Sequence, residues 1–189
     1  AEAGATLTID LGALGRNWRT LAAMAPGAEC AAVVKADAYG TGIETSVPAL
    51  AAAGCRTFFV AHLSEARRLR AVAPAATVYV LNGLFAGALD TYAAHTIRPV
   101  LGSREEVDLA CADEPGHPLP ARQIDRFAQL RGLFPGVPAS LANSAGCTLA
   151  ATHHDILRPG IALYGARFVA GRATLEPVVR LEAPIVQIR

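Results

Sequence analysis

Lysine is almost missing from this chain: of 17 basic side chains 16 are arginine, and Lys35 stands alone. No unbroken apolar run reaches the length needed to cross a bilayer. The N-terminus carries neither the basic n-region nor the apolar h-region of a signal peptide. Strong charge of either sign is also lacking. Net charge is +1, and the longest basic stretch, Arg67-Arg68-Leu69-Arg70, falls in a helical pattern and reads as a solvated face. Nucleic-acid and membrane partners are therefore not expected. The four cysteines (Cys30, Cys55, Cys111 and Cys147) include no C-x-x-C pair, which argues against a zinc site or a disulfide framework. They are expected to be reduced, mostly buried thiols of a cytoplasmic protein. His153-His154 is the only tempting metal pair, but neighbouring residues diverge on a strand or a helix, so loop polarity is the expected reading and no metal is assigned.

The chain has 189 residues, 52% of them hydrophobic but only 6% aromatic, so one domain with an alanine-rich aliphatic core is expected. Apolar runs alternate with helical patterns. Strands are expected at Thr6 to Leu11, Cys30 to Lys35, Thr57 to Ala61, Thr77 to Leu81, Ile97 to Leu101, Pro138 to Ala142 and Ile156 to Leu163. Helices are expected from Leu11, capped by Asp10, to Ala23; from Glu44 to Ala53, ending at Gly54; from Ser64 to Ala73; from Gly87 to His95; and from Pro120 to Leu133. Ser103-Arg104-Glu105-Glu106 reads as a capping box. Unbroken apolar strands separated by helices imply parallel pairing with both faces covered. The expected fold class is α/β, a TIM-type (β/α)8 barrel, with a doubly wound open sheet as the alternative. The latter is disfavoured because no G-x-G-x-x-G follows the first strand. The repeat breaks between the strands near 97 and 138, where the spacing doubles, so the barrel is expected to be incomplete.

Polar and glycine residues follow the strand ends, on the face that carries the active site in such barrels. Lys35 ends the run Ala31-Ala32-Val33-Val34 and precedes Ala36-Asp37-Ala38-Tyr39-Gly40. Arginine cannot replace lysine where an imine must form. An unpaired ammonium at a buried strand end is also costly. Ser144 follows another strand end, and Arg158-Pro159-Gly160-Ile161 offers a guanidinium and backbone amides for an anion. Each has a plainer reading: a stray lysine, a capping serine, Arg158 as partner to Asp155, Gly160 as a packing glycine.

Ala32-Val33-Val34-Lys35-Ala36-Asp37-Ala38-Tyr39-Gly40 resembles the pyridoxal-phosphate lysine motif of bacterial alanine racemases. Leu157-Arg158-Pro159-Gly160-Ile161-Ala162-Leu163-Tyr164-Gly165 is similar to that family's second hallmark, Leu141-Ala142-Asn143-Ser144-Ala145-Gly146 to its phosphate-serine segment, and Thr8-Ile9-Asp10-Leu11 with Asn17 to its N-terminal segment. The resemblance implies a cytoplasmic, homodimeric isomerase that converts L-alanine to D-alanine for peptidoglycan, with pyridoxal 5'-phosphate as cofactor. It implies that Lys35 carries the cofactor and acts as one of two bases. It further implies that Tyr39, Ser144, Gly160 and Ile161 hold the phosphate, and that Arg158 meets the pyridine nitrogen. An arginine there disfavours ring protonation, which suits a reaction that moves only the α-proton.

The departures are as specific. Thr41 stands where the family usually has histidine. A barrel segment is missing, with the join expected near Asp108-Leu109. It would carry a D-T-G-M-x-R-x-G-like motif and the histidine that packs on the pyridine ring. Residues 1–182 are then the barrel, and 183–189 the start of a C-terminal β domain that supplies the second base. On this reading the chain is expected to be weakly active or inactive unless a residue already present, such as Tyr164, serves as that base. A non-catalytic pyridoxal-phosphate carrier barrel and a gene fragment remain the alternatives.

Overall fold

The computed structural model describes residues 5–83, 89–100, 118–132, 135–166 and 174–182. The chain opens with β1 (Thr6–Ile9) and α1 (Leu11–Ala23). Asp10 starts α1 as expected, its carboxylate accepting from the Ala13 amide at 2.9 Å. The predicted strand at 30–35 is two short pieces, β2 (Glu29–Cys30) and β3 (Ala32–Val33), and a kinked helical turn, α2 (Lys35–Tyr39), follows at once. Then come α3 (Ile43–Ala53), β4 (Thr57–Val60), α4 (Leu63–Val72), β5 (Thr77–Val80), α5 (Leu89–Ala94), β6 (Ile97–Pro99), α6 (Pro118–Arg131), β7 (Ile156–Leu157) and β8 (Val179–Glu182). Gly54 ends α3 in the left-handed conformation, φ 118°. The capping box at Ser103 and the Leu109–Pro115 stretch lie outside the described residues.

Strands β3, β4, β5 and β6 form one parallel sheet in sequence order, and β2 pairs in parallel with β7. The Val33 amide continues that second pairing by donating to the Pro159 carbonyl at 2.8 Å. This is an incomplete TIM-type α/β barrel. Its two faces follow the period of two along each strand. Ala32, Val34, Phe58, Val60, Val78 and Val80 turn outward into the main core with the helices. Ala31, Val33 and Phe59 form a smaller inner cluster, joined by Tyr39, Tyr79 and Ile156. β1 and β8 pair antiparallel with each other, outside these parallel sheets.

Two expected strands are corrected. Pro138 to Ala142 is not a ladder strand. It lies along the 155–158 segment, but its backbone bonds there, through the Ala139 and Ala142 carbonyls, alternate with side-chain bonds and form no regular ladder. The Asp155 carboxylate accepts from the Ala139 amide, Ser140 Oγ donates to the Ile156 carbonyl, and the Ala139 carbonyl receives both the Asp155 and Ile156 amides. Ile156 to Leu163 is a strand only to Leu157. Pro159 has no amide to donate, Gly160 leaves the extended region at φ −116°, ψ −94°, and Ile161–Tyr164 coils into a 3-10 turn. The helix predicted from Ser64 starts one residue earlier, with Glu65 bonding back to the His62 amide at 3.2 Å.

Asn17, from the middle of α1, secures that turn. Its amide donates to the Leu163 and Glu176 carbonyls at 3.0 and 2.7 Å, and its oxygen accepts from the Glu176 amide at 2.6 Å. Cys30, Cys55 and Cys147 are buried free thiols, and Cys111 lies outside the described residues. No described helix is long and apolar enough to cross a membrane.

Two outcomes are expected. Asn17→Ala strips partners from buried backbone groups and lowers stability by about 1–3 kcal/mol, read from urea unfolding. Burial pushes the Cys55 and Cys147 thiols up to about 12 from an ordinary 9.0, and raises Cys30 as well. A raised folded pKa leaves stability whole below the unfolded value and removes it as pH climbs toward the folded one. The urea midpoint should therefore fall from about pH 9 toward pH 12, less steeply in Cys147→Ala.

Candidate active site

The parallel pairing of β2 with β7, continued by the Val33-to-Pro159 bond, brings the end of β3 beside the 158–161 segment, and the candidate residues collect there. Lys35 follows β3 by one buried residue, Val34, and its side chain is exposed. The expectation of a lysine at a buried strand end is corrected: the strand residues are buried, but Lys35 turns out at the sheet's open end. Among the described residues its ammonium makes no ion pair.

Tyr39, at the other end of α2, reaches across to the 158–161 segment. A β-carbon placed on Gly160 would collide with the Tyr39 hydroxyl and lie 3.3 Å from Val33 Cβ. Only glycine lets these two groups meet. Ser144 Oγ accepts from the Gly160 amide at 2.9 Å and the Ala162 amide at 3.2 Å. With both lone-pair directions so used, its proton is free to be donated outward. The capping reading of Ser144 and the packing reading of Gly160 both hold, alongside any role toward a ligand. Ile161 heads the 3-10 turn, 42% exposed, and the second amide on Ser144 belongs to Ala162.

Arg158 is half-buried and aimed into the inner cluster. One guanidinium nitrogen donates to the Ser140 carbonyl at 2.8 Å and to Ser140 Oγ, and another reaches the Leu141 carbonyl at 3.5 Å. Its guanidinium lies 5.9 Å from the Phe59 ring centroid, and Phe59 stacks on Tyr79 at 4.8 Å. Burial lowers its pKa from the ordinary guanidinium value. Asp155 is not its partner; that carboxylate pairs with Arg131 at 3.4 Å. His153 and His154 diverge, the first to the Cys147 carbonyl and the second to Arg131.

Sequence reasoning missed Ser140, Phe59 and Glu65. The Glu65 carboxylate accepts from the Asp37 amide at 3.0 Å and from the Ala61 amide at 2.9 Å, joining α4 to the turn that carries Lys35. The one available signal was a glutamate in the first turn of a helix, which a cap alone explains.

Residues 9–110 and 107–168 match the family model for the alanine racemase N-terminal domain. The chain belongs to the alanine racemase family. It is 48% identical to the alanine racemase of Methylobacterium nodulans and 36% identical to that of Rhizobium meliloti, covering 98% and 100% of this chain but 65% and 64% of those proteins. The chain thus spans just under two thirds of their length. The crystal structure of the alanine racemase from Bartonella henselae, which has covalently bound pyridoxal phosphate, superposes with a TM-score of 0.90 at 31% identity, covering 100% of this chain and 72% of that one. The biosynthetic alanine racemase of Pseudomonas aeruginosa gives 0.83 at 28%, covering 94% of this chain and 65% of that one. The two matched stretches meet at 107–110. The Methylobacterium alignment runs over 241 residues although this chain has 189.

Two members of the site depart from expectation. Thr41, where the family resemblance implied histidine, is buried; its hydroxyl donates to the Ala38 carbonyl at 2.6 Å and bonds Ser46 Oγ at 2.8 Å. Tyr164 packs on Tyr39, ring centroids 5.0 Å apart, with its hydroxyl buried. Burial raises the pKa of that phenol, which disfavours the phenolate that a base would need.

Gly160→Ala should cost about 1–3 kcal/mol through overpacking against Tyr39. Tyr39→Phe in the same chain should return part of that loss by removing the colliding oxygen. Urea unfolding of the two variants and their combination measures both effects.

Proposed function

We propose that this chain is the cofactor-binding barrel of a pyridoxal 5'-phosphate-dependent isomerase that interconverts L- and D-alanine. The observation that carries the reading is the sole lysine, exposed beside a cradle made by Tyr39, Ser144 and Gly160. The donor set fits the cofactor: an accessible primary amine and two hydroxyls, one of them brought against the Gly160 backbone because that residue has no β-carbon. Lys35 would hold the aldehyde carbon. Tyr39 and Ser144, with amides from the 160–162 turn, would hold the phosphate. Arg158, fixed by Ser140 and Phe59, would face the ring nitrogen as a permanent cation. When bound, pyridoxal phosphate supplies an electron sink that acidifies the α-proton of an amino acid. Lys35 would then move that proton on one face of the substrate.

The substrate would be alanine, consumed in the cytoplasm by a homodimer that supplies D-alanine for the cell wall. We further propose that residues 1–182 form the barrel, joined near 108/109 across a deleted segment, with 183–189 leading into a further β domain. The abutting matches at 107–110 and the longer alignment support the deletion. It would leave β6 and the 138–142 segment as open edges and weaken turnover. Stable cofactor binding without turnover would instead favour a carrier role.

Incubation with pyridoxal phosphate followed by borohydride should fix the cofactor on Lys35, located by peptide mapping. Labelling of the N-terminal amine with Lys35 unmodified would refute the reading. Ser144→Ala and Tyr39→Phe should each weaken pyridoxal phosphate binding by roughly 0.5–3 kcal/mol, while binding of pyridoxal, which has no phosphate, stays unchanged. Chiral chromatography of alanine incubated with the loaded protein measures turnover.

A further inference from the structure

Ala36, Asp37, Ala38 and Tyr39 all have positive φ, 53° to 56°. With ψ of 48° to 50° at the first three, they form one turn of left-handed helix inside α2, without a glycine. L-residues pay roughly 1–2 kcal/mol each in that conformation. It persists only where surrounding groups over-determine it. The turn lies between Lys35 and Tyr39, so its hand decides how the amine and the phenol stand relative to each other.

Bonds within the segment, such as Gly40 amide to Ala36 carbonyl at 3.0 Å and Gly42 amide to Asp37 carbonyl at 2.9 Å, close the turn on itself. The clamp from outside is Glu65. One carboxylate oxygen accepts from the Asp37 amide at 3.0 Å; the other accepts from the Ala61 and His62 amides at 2.9 and 3.2 Å. Both oxygens are in use, so this one side chain ties the turn to the end of β4 and the start of α4. Arg68, one turn further along α4, pairs with the Asp37 carboxylate at 2.7 Å, but both side chains are about half exposed, where ion pairs contribute little.

We propose that Glu65 is a positioning residue. By holding the Asp37 amide it keeps residues 36–39 left-handed, and so keeps the Lys35 amine in register with the Tyr39 hydroxyl. The inference rests on the proposed function only for the identity of the ligand.

Glutamine has one accepting oxygen, so Glu65→Gln can serve the Asp37 amide or the α4 amides but not both. Ala36 is exposed, and glycine enters the left-handed region without penalty, so Ala36→Gly relieves the strain directly. The full chain and its variants would be titrated with pyridoxal phosphate and with pyridoxal, and amide hydrogen exchange at Asp37 followed by NMR without either. Glu65→Gln should cut the preference for the phosphorylated aldehyde roughly tenfold and speed Asp37 exchange similarly. Adding Ala36→Gly should restore the preference, because a right-handed alternative no longer wins. Equal loss of affinity for both aldehydes, or no rescue by Ala36→Gly, would show Glu65 to be a helix cap only and overturn the proposal. If the parent chain itself does not prefer the phosphorylated aldehyde, the functional reading fails, and exchange at Asp37 decides alone: an unchanged rate in Glu65→Gln sinks the clamp.

Discussion

Parallel pairing of the 29–33 segment with 156–159 fixes the register of everything at the site. The Ala31 amide donates to the Leu157 carbonyl and the Val33 amide to the Pro159 carbonyl. These bonds set Lys35 and Gly160, from distant parts of the sequence, at neighbouring strand ends. They also decide which residues look inward. A slip of one residue would move Val33 out of the inner cluster and Val34 into it, exchanging the faces of the whole strand. Val34, fully buried against the helices, and Val33, against Tyr39 and Phe59, therefore guard the register from both sides. The closeness of Tyr39 to Gly160 depends on that register being held.

What could be read from the sequence divides along the range of the interactions. Asp10 and Gly54 mark helix ends through bonds to their own neighbours, and both were legible. So was the repeat of apolar strands and amphipathic helices, because burial on both faces leaves a compositional trace. The 138–142 segment was not. Its apolar run looks like a strand, yet the Asp155 carboxylate and the Ser140 hydroxyl interrupt its backbone pairing, and nothing local shows that. Lys35 was legible from scarcity, and Arg158-Pro159-Gly160 from its motif. The burial of Lys35 was misjudged because the apolar run does not show where the strand ends and the chain turns into the open face. Ser140, Phe59 and Glu65 are ordinary residues that matter only for what they meet across the fold.

The left-handed turn is the sharpest case. Alanine and tyrosine have no local preference for positive φ, and aspartate visits it only as a single residue, so read in isolation the four favour a right-handed turn or an extended loop. The conformation is imposed by the tertiary structure. Thr41 contributes from below: its hydroxyl proton goes to the Ala38 carbonyl, so in its contact with Ser46 it must accept. That assignment makes a directional chain, Ser46 to Thr41 to Ala38, buried beneath the turn. The threonine at this position is thus fully integrated into the turn's support.

The arginines show why the site can still offer charge. Arg16, Arg68 and Arg131 are each paired with carboxylates, so their fields are largely cancelled. Arg158 is held instead by two carbonyls, a hydroxyl and a ring face, all neutral. Such partners satisfy its N–H groups and fix its plane without neutralising its charge. Burial depresses its pKa, but a guanidinium has far to fall before it loses its proton near neutrality. A lysine there would be a weaker choice: a compact ammonium deprotonates more readily when desolvated and cannot lie flat over Phe59. A carboxylate on the same segment would find carbonyls where it needs donors. The surroundings of Arg158 therefore select a fixed cation, and the scarcity of lysine leaves Lys35, on the exposed side, as the one side-chain amine.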